Sequence, residues 1–251
     1  MSEREEAMEA HIAGSVPITT AEIDGQVSML IFFAGCDFRC PFCANRSILD
    51  FKEEFKQHIR VIKGRIDANL PYIDSVVLCG AEPLLQKTPV ELIARYAKDN
   101  GLTVGLETNG SRPTVLELLI NKGLVDRVAL DYKAPLEADI FRKVTKSETF
   151  FCTAEDVMRA VRKSIDVLKD NVDRIEVVFR TTIVPTIMYR IEDLSKIAQD
   201  ISDILKRKLD LIILGRRLGD GNFVGRKGDN IYTSKGVTRF SPIATWRHED
   251  I

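Results

Sequence analysis

No apolar run in this 251-residue chain approaches the roughly 20 residues a helix needs to cross a bilayer, so no membrane-spanning helix is expected. Net charge is equally scarce. With 36 Lys+Arg against 37 Asp+Glu the formal charge is −1, which gives no electrostatic case for nucleic acid or an acidic membrane surface. The opening residues, Met1-Ser2-Glu3-Arg4-Glu5-Glu6, are acidic and lack the basic and apolar regions of a secretory signal. Cysteines number only five, and without such a signal they argue for a reducing cytoplasm rather than a disulfide framework. Internal repeats and low-complexity segments are also missing. What remains is an ordinary globular composition, 45% hydrophobic and 29% charged, at a length typical of a single α/β barrel.

Three of the five cysteines, Cys36, Cys40 and Cys43, fall within eight residues in the spacing CxxxCxxC. Thiolates so spaced on a loop can converge on a soft metal centre. Three are one too few for a closed zinc site or an ordinary four-cysteine cluster. Cys79 and Cys152 are distant in sequence, and the next histidine, His58, lies beyond the loop. Two readings follow. A [4Fe–4S] cluster held by three cysteines leaves one iron open to a ligand and makes a catalytic centre. A structural zinc loop would need a distant Cys or His to complete it.

Around this loop the pattern alternates. Residues 1–26 read as a polar, irregular lead-in ending in an Asp24-Gly25 turn. Residues 27–34 read as a buried strand. Leu49, Phe51, Phe55, Ile59, Ile62 and Ile66 suggest one amphipathic helix. Strands are expected at 75–79, 102–107, 125–131, 174–184 and 209–214. Helices are expected at 89–100, from Pro113 to a stop at Gly123, from a Thr153/Asp156 capping box, and at 191–205. Six alternations predict an α/β fold, a partial (β/α)6 TIM-type barrel of parallel strands with outer helices. The expected division is a lead-in (1–26), the barrel (27–214) and a Gly-rich, basic tail (215–251). That tail carries Arg216, Arg217, Arg226, Lys227, Lys235, Arg239 and Arg247, and reads as a surface segment or a lid over the barrel mouth.

A barrel of this kind binds ligands at the C-terminal ends of its strands, and each chemically loaded cluster falls there. Cys79-Gly80-Ala81-Glu82-Pro83 offers small residues for close backbone approach, with Ala81 tolerable only at negative φ. Residues two apart in a strand share a face, so Glu107 goes with Asn109, Asp131 with Lys133, and Arg180 with Thr182. Charged groups facing into a barrel must pair or bind a polar ligand.

Taken in order, residues 40–46, 80–85, 107–110, 131–135 and 180–185 give this chain a resemblance to the radical S-adenosylmethionine (radical SAM) superfamily. Within it, residues 24–190 resemble the branch that activates glycyl-radical enzymes, including the activases of pyruvate formate-lyase and anaerobic ribonucleotide reductase. The resemblance implies a [4Fe–4S] cluster on Cys36, Cys40 and Cys43 that reductively cleaves S-adenosyl-L-methionine to a 5′-deoxyadenosyl radical. It places Phe42 and Asn45 beside adenine, and Gly80, Ala81 and Glu82 at the methionine amino group. Lys133 and Arg180 take the carboxylate side, with Glu107, Thr108, Asp131 and Thr182 completing the surroundings. It further implies a glycyl-radical enzyme as protein substrate and a flavodoxin or ferredoxin as electron donor. Ala44 stands where many activases have histidine, the cysteine-rich ferredoxin insert is missing, and no alignment extends past Leu214. Two other functions stay open: a radical SAM enzyme acting on a small molecule or nucleobase, and a zinc-binding structural module.

Overall fold

All six residues of one strand, Ser28–Phe33, are buried, the mark of a sheet covered on both faces. The computed structural model describes residues 7–183, 187–201, 210–215, 230–233 and 236–242. In chain order its strands are β1 (Glu9–Thr19), β2 (Ser28–Phe33), β3 (Lys56–His58), β4 (Ser75–Gly80), β5 (Thr103–Thr108), β6 (Arg127–Asp131), β7 (Glu176–Ile183), β8 (Asp210–Gly215), β9 (Asn230–Thr233) and β10 (Gly236–Pro242). The helices are α1 (Ile59–Asn69), α2 (Lys87–Asp99), α3 (Pro113–Asn121), α4 (Ala138–Thr145), α5 (Ala154–Asp170) and α6 (Ile191–Asp200).

Among the described residues the strands form one sheet in the order β3-β1-β2-β4-β5-β6-β7-β8-β10-β9. From β2 to β8 every neighbouring pair is parallel, so the six expected strands stand where the sequence puts them. This is a partial TIM-type barrel. Period-two alternation divides each strand between two cores. Met29, Ile31, Phe33, Val76, Leu78, Val104, Leu106, Val128, Leu130, Val177 and Phe179 face outward and pack with the helices. Leu30, Phe32, Val77 and Cys79 face inward with Ile48 and Phe55. The helices present matching stripes, such as Val157, Val161, Ile165 and Leu168 on α5. The Thr153/Asp156 capping box that opens α5 is present with both reciprocal hydrogen bonds. Pro113 takes the first turn of α3, as expected.

Three expectations need correction. The lead-in is not irregular throughout: β1 takes 11 of its residues and pairs antiparallel with both β2 and β3. Its strand signal is masked by Gly14 and Pro17, which fall at two register shifts in the β1–β2 ladder. The helix expected from Leu49 begins only at Ile59. Ile48 and Phe55 belong to the inner core whereas Ile59, Ile62 and Ile66 belong to the outer one, so the apolar residues do not share one helical face. Beyond residue 215, β10 adds a seventh parallel strand against β8, and β9 pairs antiparallel with it. The expected ends of the 174–184 strand and the 191–205 helix lie outside the described residues, as do most of the basic positions of the tail.

Candidate metal and cofactor site

The β2 strand delivers the chain into the cysteine loop, and the loop is pinned from several directions. Backbone N–H groups of Gly35 and Cys36 donate to Ile48 O (2.8 Å) and Leu49 O (2.9 Å). Arg39 N–H donates to Thr145 O at the end of α4 (2.9 Å), and Cys43 N–H turns back to Cys40 O (3.1 Å). Gly35 holds φ +90°, and a Cβ there would sit 2.2 Å from the Phe51 ring. Only glycine meets both demands. Asn45 reaches across the loop and donates from Nδ2 to Gly80 O at the end of β4 (2.8 Å).

Gly80 is the second obligatory glycine. Its φ is +109°, and a Cβ would lie 2.7 Å from Phe33 O. The next residue, Ala81, keeps negative φ, since Lys146 is the only described non-glycine residue with positive φ. The methyl group at position 81 is therefore unstrained.

The ends of β5, β6 and β7 carry a chain of alternating charges. Arg180 donates from Nη1 to Glu107 Oε1 (2.5 Å) and from Nε to Asp131 Oδ1 (2.9 Å), while Lys133 Nζ donates to Asp131 Oδ2 (2.9 Å). The register explains the meeting: Asp131 and Arg180 are directly opposed across β6 and β7. Burial opposes the charge on Asp131, but Arg180 and Lys133 overcome it and hold its carboxyl at about 2. Asp131 in turn raises Lys133, and Asp131 with Glu107 raises Arg180, above their ordinary values against the cost of burial.

A cavity of about 370 Å³ joins these groups. It is lined by Cys36, Cys40, Phe42, Cys43, Asn45, Gly80, Ala81, Glu107, Thr108, Asp131, Lys133, Arg180 and Thr182, which is every residue singled out from the sequence except Glu82. Glu82 is fully buried behind the cavity wall. Its carboxylate accepts from Thr108 Oγ1 (2.8 Å), Asn109 N (2.7 Å) and Leu84 N (3.1 Å), bracing the turn that follows β5. Burial, with Asp37 nearby, pushes Glu82 up to about 8. Asn109 donates from Nδ2 to Asp37 Oδ1 (3.0 Å) and lies 3.8 Å from Cys36 Sγ, linking the braced turn to the cysteine loop.

Among the charged residues that line the cavity, sequence reasoning passed over Glu22 and Arg127. Arg127 had a signal, because Arg127, Ala129 and Asp131 alternate along one face of β6. Glu22 had none, since it comes from the loop between β1 and β2. Cys79 lines the cavity although it stands apart from the motif, while Cys152 is not among the lining residues.

Burial raises the Cys36 thiol, and it raises Cys40 to about 11 despite Lys133 nearby. Such thiols ionise only when a metal takes the proton's place. Among the described residues no three His, Cys, Asp or Glu side chains are grouped to hold a single ion. A cubane cluster makes no such demand, because each thiolate binds its own iron. Three soft donors beside a glycine-lined polar cavity fit a three-cysteine cluster with a chelated polar cofactor.

Fold and site thus define a partial α/β barrel with a three-thiol loop at the C-terminal mouth of its strands. The sequence profile of the radical SAM superfamily matches residues 30–200, and the chain belongs to that superfamily. A Methanocaldococcus jannaschii protein provisionally named a glycyl-radical enzyme activating enzyme is 36% identical over 196 residues, covering 78% of this chain and 77% of its own length. The 7-carboxy-7-deazaguanine synthase of Clostridium acetobutylicum is 33% identical over 154 residues, 59% of this chain and 66% of that protein. The pyruvate formate-lyase-activating enzyme of Clostridium pasteurianum is 26% identical over 188 residues, 72% of this chain and 73% of that protein. Among solved structures, TYW1 with a lysine-pyruvate adduct bound superposes with a TM-score of 0.51 at 16% identity. That match covers 74% of this chain and 64% of the TYW1 chain, and shows a shared fold.

Proposed function

We propose that the protein is a radical SAM activase that abstracts hydrogen from a glycine of a partner glycyl-radical enzyme. A [4Fe–4S] cluster on Cys36, Cys40 and Cys43, with S-adenosylmethionine bound, would supply the electron and the 5′-deoxyadenosyl radical for that step. The protein's own residues hold and shield. Asn45 and Gly80 fix the wall beside the cysteine loop, Lys133 and Arg180 offer cations to a carboxylate, and Asp131 keeps both cations in place. Phe42 and Asn45 flank the base, Glu107, Thr108 and Thr182 line the remaining polar wall, and Glu82 stiffens the turn carrying Thr108 and Asn109. This chemistry resides in residues 27–214, in a reducing compartment such as the cytoplasm.

The observation that carries the reading is the size of the cavity. At about 370 Å³ it has room for about one ligand of cofactor size. A loop of another protein reaching in from the mouth suits that limited space. The relative sharing 36% identity over 78% of this chain carries the same activity in its name. Incubation without air with reductant, S-adenosylmethionine and the cognate glycyl-radical protein should yield deoxyadenosine. The partner should then show a radical with a resolved α-hydrogen doublet by electron paramagnetic resonance. Deoxyadenosine formed only with a small metabolite would overturn the activase reading.

That second outcome is the alternative, a small-molecule or nucleobase substrate. It is favoured by the charged Glu22 and Arg127 at the cavity wall and by the similarity to a deazaguanine synthase. The electron donor in either case would be a small redox protein such as a flavodoxin or ferredoxin. A zinc module is separated by colour: protein purified without air should be brown, whereas a zinc protein is colourless.

A further inference from the structure

The turn after β5 aims a side-chain amide at the first cysteine of the loop. Asn109 is only 5% exposed, and the surrounding bonds fix which way its amide points. Its backbone N–H donates to Glu82 Oε2 (2.7 Å), and its Oδ1 accepts from Ser111 N (2.8 Å). A backbone N–H can only donate, so it must face the amide oxygen, and Nδ2 is left facing the cysteine loop. Nδ2 carries two protons. One goes to Asp37 Oδ1 (3.0 Å) and the other to Cys36 Sγ (3.8 Å). Arg112 holds the second oxygen of Asp37 (3.3 Å), so the acid beside the loop is tied from both sides.

Cys36 Sγ also accepts from the backbone N–H of Phe38 (3.3 Å), which gives this sulfur two N–H donors. Cys40 Sγ, by contrast, lies 3.7 Å from Thr145 O, an acceptor that offers a thiolate nothing. The positions on the loop are therefore not equivalent. A hydrogen bond to a thiolate is charge-assisted, and it strengthens as negative charge on the sulfur grows. One-electron reduction of a cluster adds such charge to its ligands. Donors aimed at a ligand sulfur thus stabilise the reduced state and raise the potential.

We propose that Asn109 is a positioning residue that donates to the Cys36 thiolate and so eases the one-electron reduction of the cluster by its external donor. This rests on the reading of Cys36, Cys40 and Cys43 as cluster ligands. The turn that carries Asn109 also lines the cofactor cavity and is braced by Glu82. One side chain therefore joins the metal half of the site to the cofactor half.

The test is an electrochemical titration of the reconstituted cluster with dithionite, without S-adenosylmethionine, followed by electron paramagnetic resonance. Wild type is compared with Asn109→Leu and Asn109→Thr. Leucine is similar in size and removes the donor. Threonine keeps an oxygen that can accept from Ser111 N, so the turn retains its own bond, but lacks the reach to Cys36. At a fixed solution potential each variant should show a ratio of reduced to oxidised cluster lower by about tenfold, a negative shift of about 59 mV for one electron. Iron content and circular dichroism should match wild type, which a merely structural role for Asn109 would not predict alongside a shifted potential. A midpoint in Asn109→Thr equal to that of wild type would overturn the inference while the cluster reading stands. Loss of iron from both variants with the fold retained would assign Asn109 to cluster assembly and overturn it as well. Wild-type protein that takes up no iron and stays colourless would overturn the cluster reading and the inference together.

Discussion

On their outward faces strands β4 to β7 carry Val76, Leu78, Val104, Leu106, Val128, Leu130, Val177 and Phe179, an apolar layer under the helices. On their inward faces the same strands carry Cys79, Glu107, Asp131 and Arg180 around a cavity. Phe179 and Arg180 are adjacent in the chain and end up in these opposite environments. One face has volume to fill and does so with shape alone. The other has charges to satisfy and does so with partners drawn from three strands. Mutations should therefore separate cleanly into those that unfold the protein and those that empty its site.

The largest separation should come from the cysteines. Alanine at Cys36, Cys40 or Cys43 is expected to abolish bound iron with the fold retained, while Cys79→Ala and Cys152→Ala keep it. Iron analysis and circular dichroism on the five variants check this. Loss of iron in Cys79→Ala with Cys36→Ala unaffected would break the division. On the outward face, Phe179→Ala removes a fully buried ring and should cost about 3–5 kcal/mol of stability in urea unfolding. Lys133→Ala should cost much less stability than Phe179→Ala, because Arg180 still pairs with Asp131, yet weaken S-adenosylmethionine binding by about 1.5–3 kcal/mol, read by calorimetry.

Two smaller effects sharpen the contrast. Asp131 titrates lower folded, at about 2, than its ordinary value of 3.8. Its charge therefore contributes stability that is fully present above pH 3.8 and is lost as pH falls through 2. Asp131→Asn should flatten that acid limb of the unfolding profile. On the outward side Thr181 is buried, and among the described residues its hydroxyl has no hydrogen-bond partner. Thr181→Val should raise stability by about 0.5–1 kcal/mol, seen as a higher melting temperature.

The outward face was the legible one. Strands such as residues 75–79 and 125–131 announce themselves because both of their faces are buried and the apolar run is continuous. The charged strand ends were readable through period two, which set Asp131 beside Lys133 and Arg180 beside Thr182. β1 was not, since its pairing with β2 and β3 overrides the glycine and proline within it. The orientation of Glu82 was also hidden. Its position at the end of β4 is clear in the sequence, but its acceptance of Thr108 and Asn109 depends on how β4 and β5 twist together.

Apart from the short β3, which pairs with β1, the strand order from β2 to β8 follows the chain. A polypeptide emerging from the ribosome can therefore add strands one at a time, without waiting for distant partners. That convenience has an interval of exposure. Once β5 and β6 have docked, Glu107 and Asp131 face the growing half-barrel with Lys133 and, lower on the same face of β6, Arg127. The guanidinium of Arg180 arrives 49 residues after Asp131, on β7. Until then Glu107 and Asp131 lack the guanidinium that bridges them, so β7 docking should be the step at which synthesis commits to the native barrel.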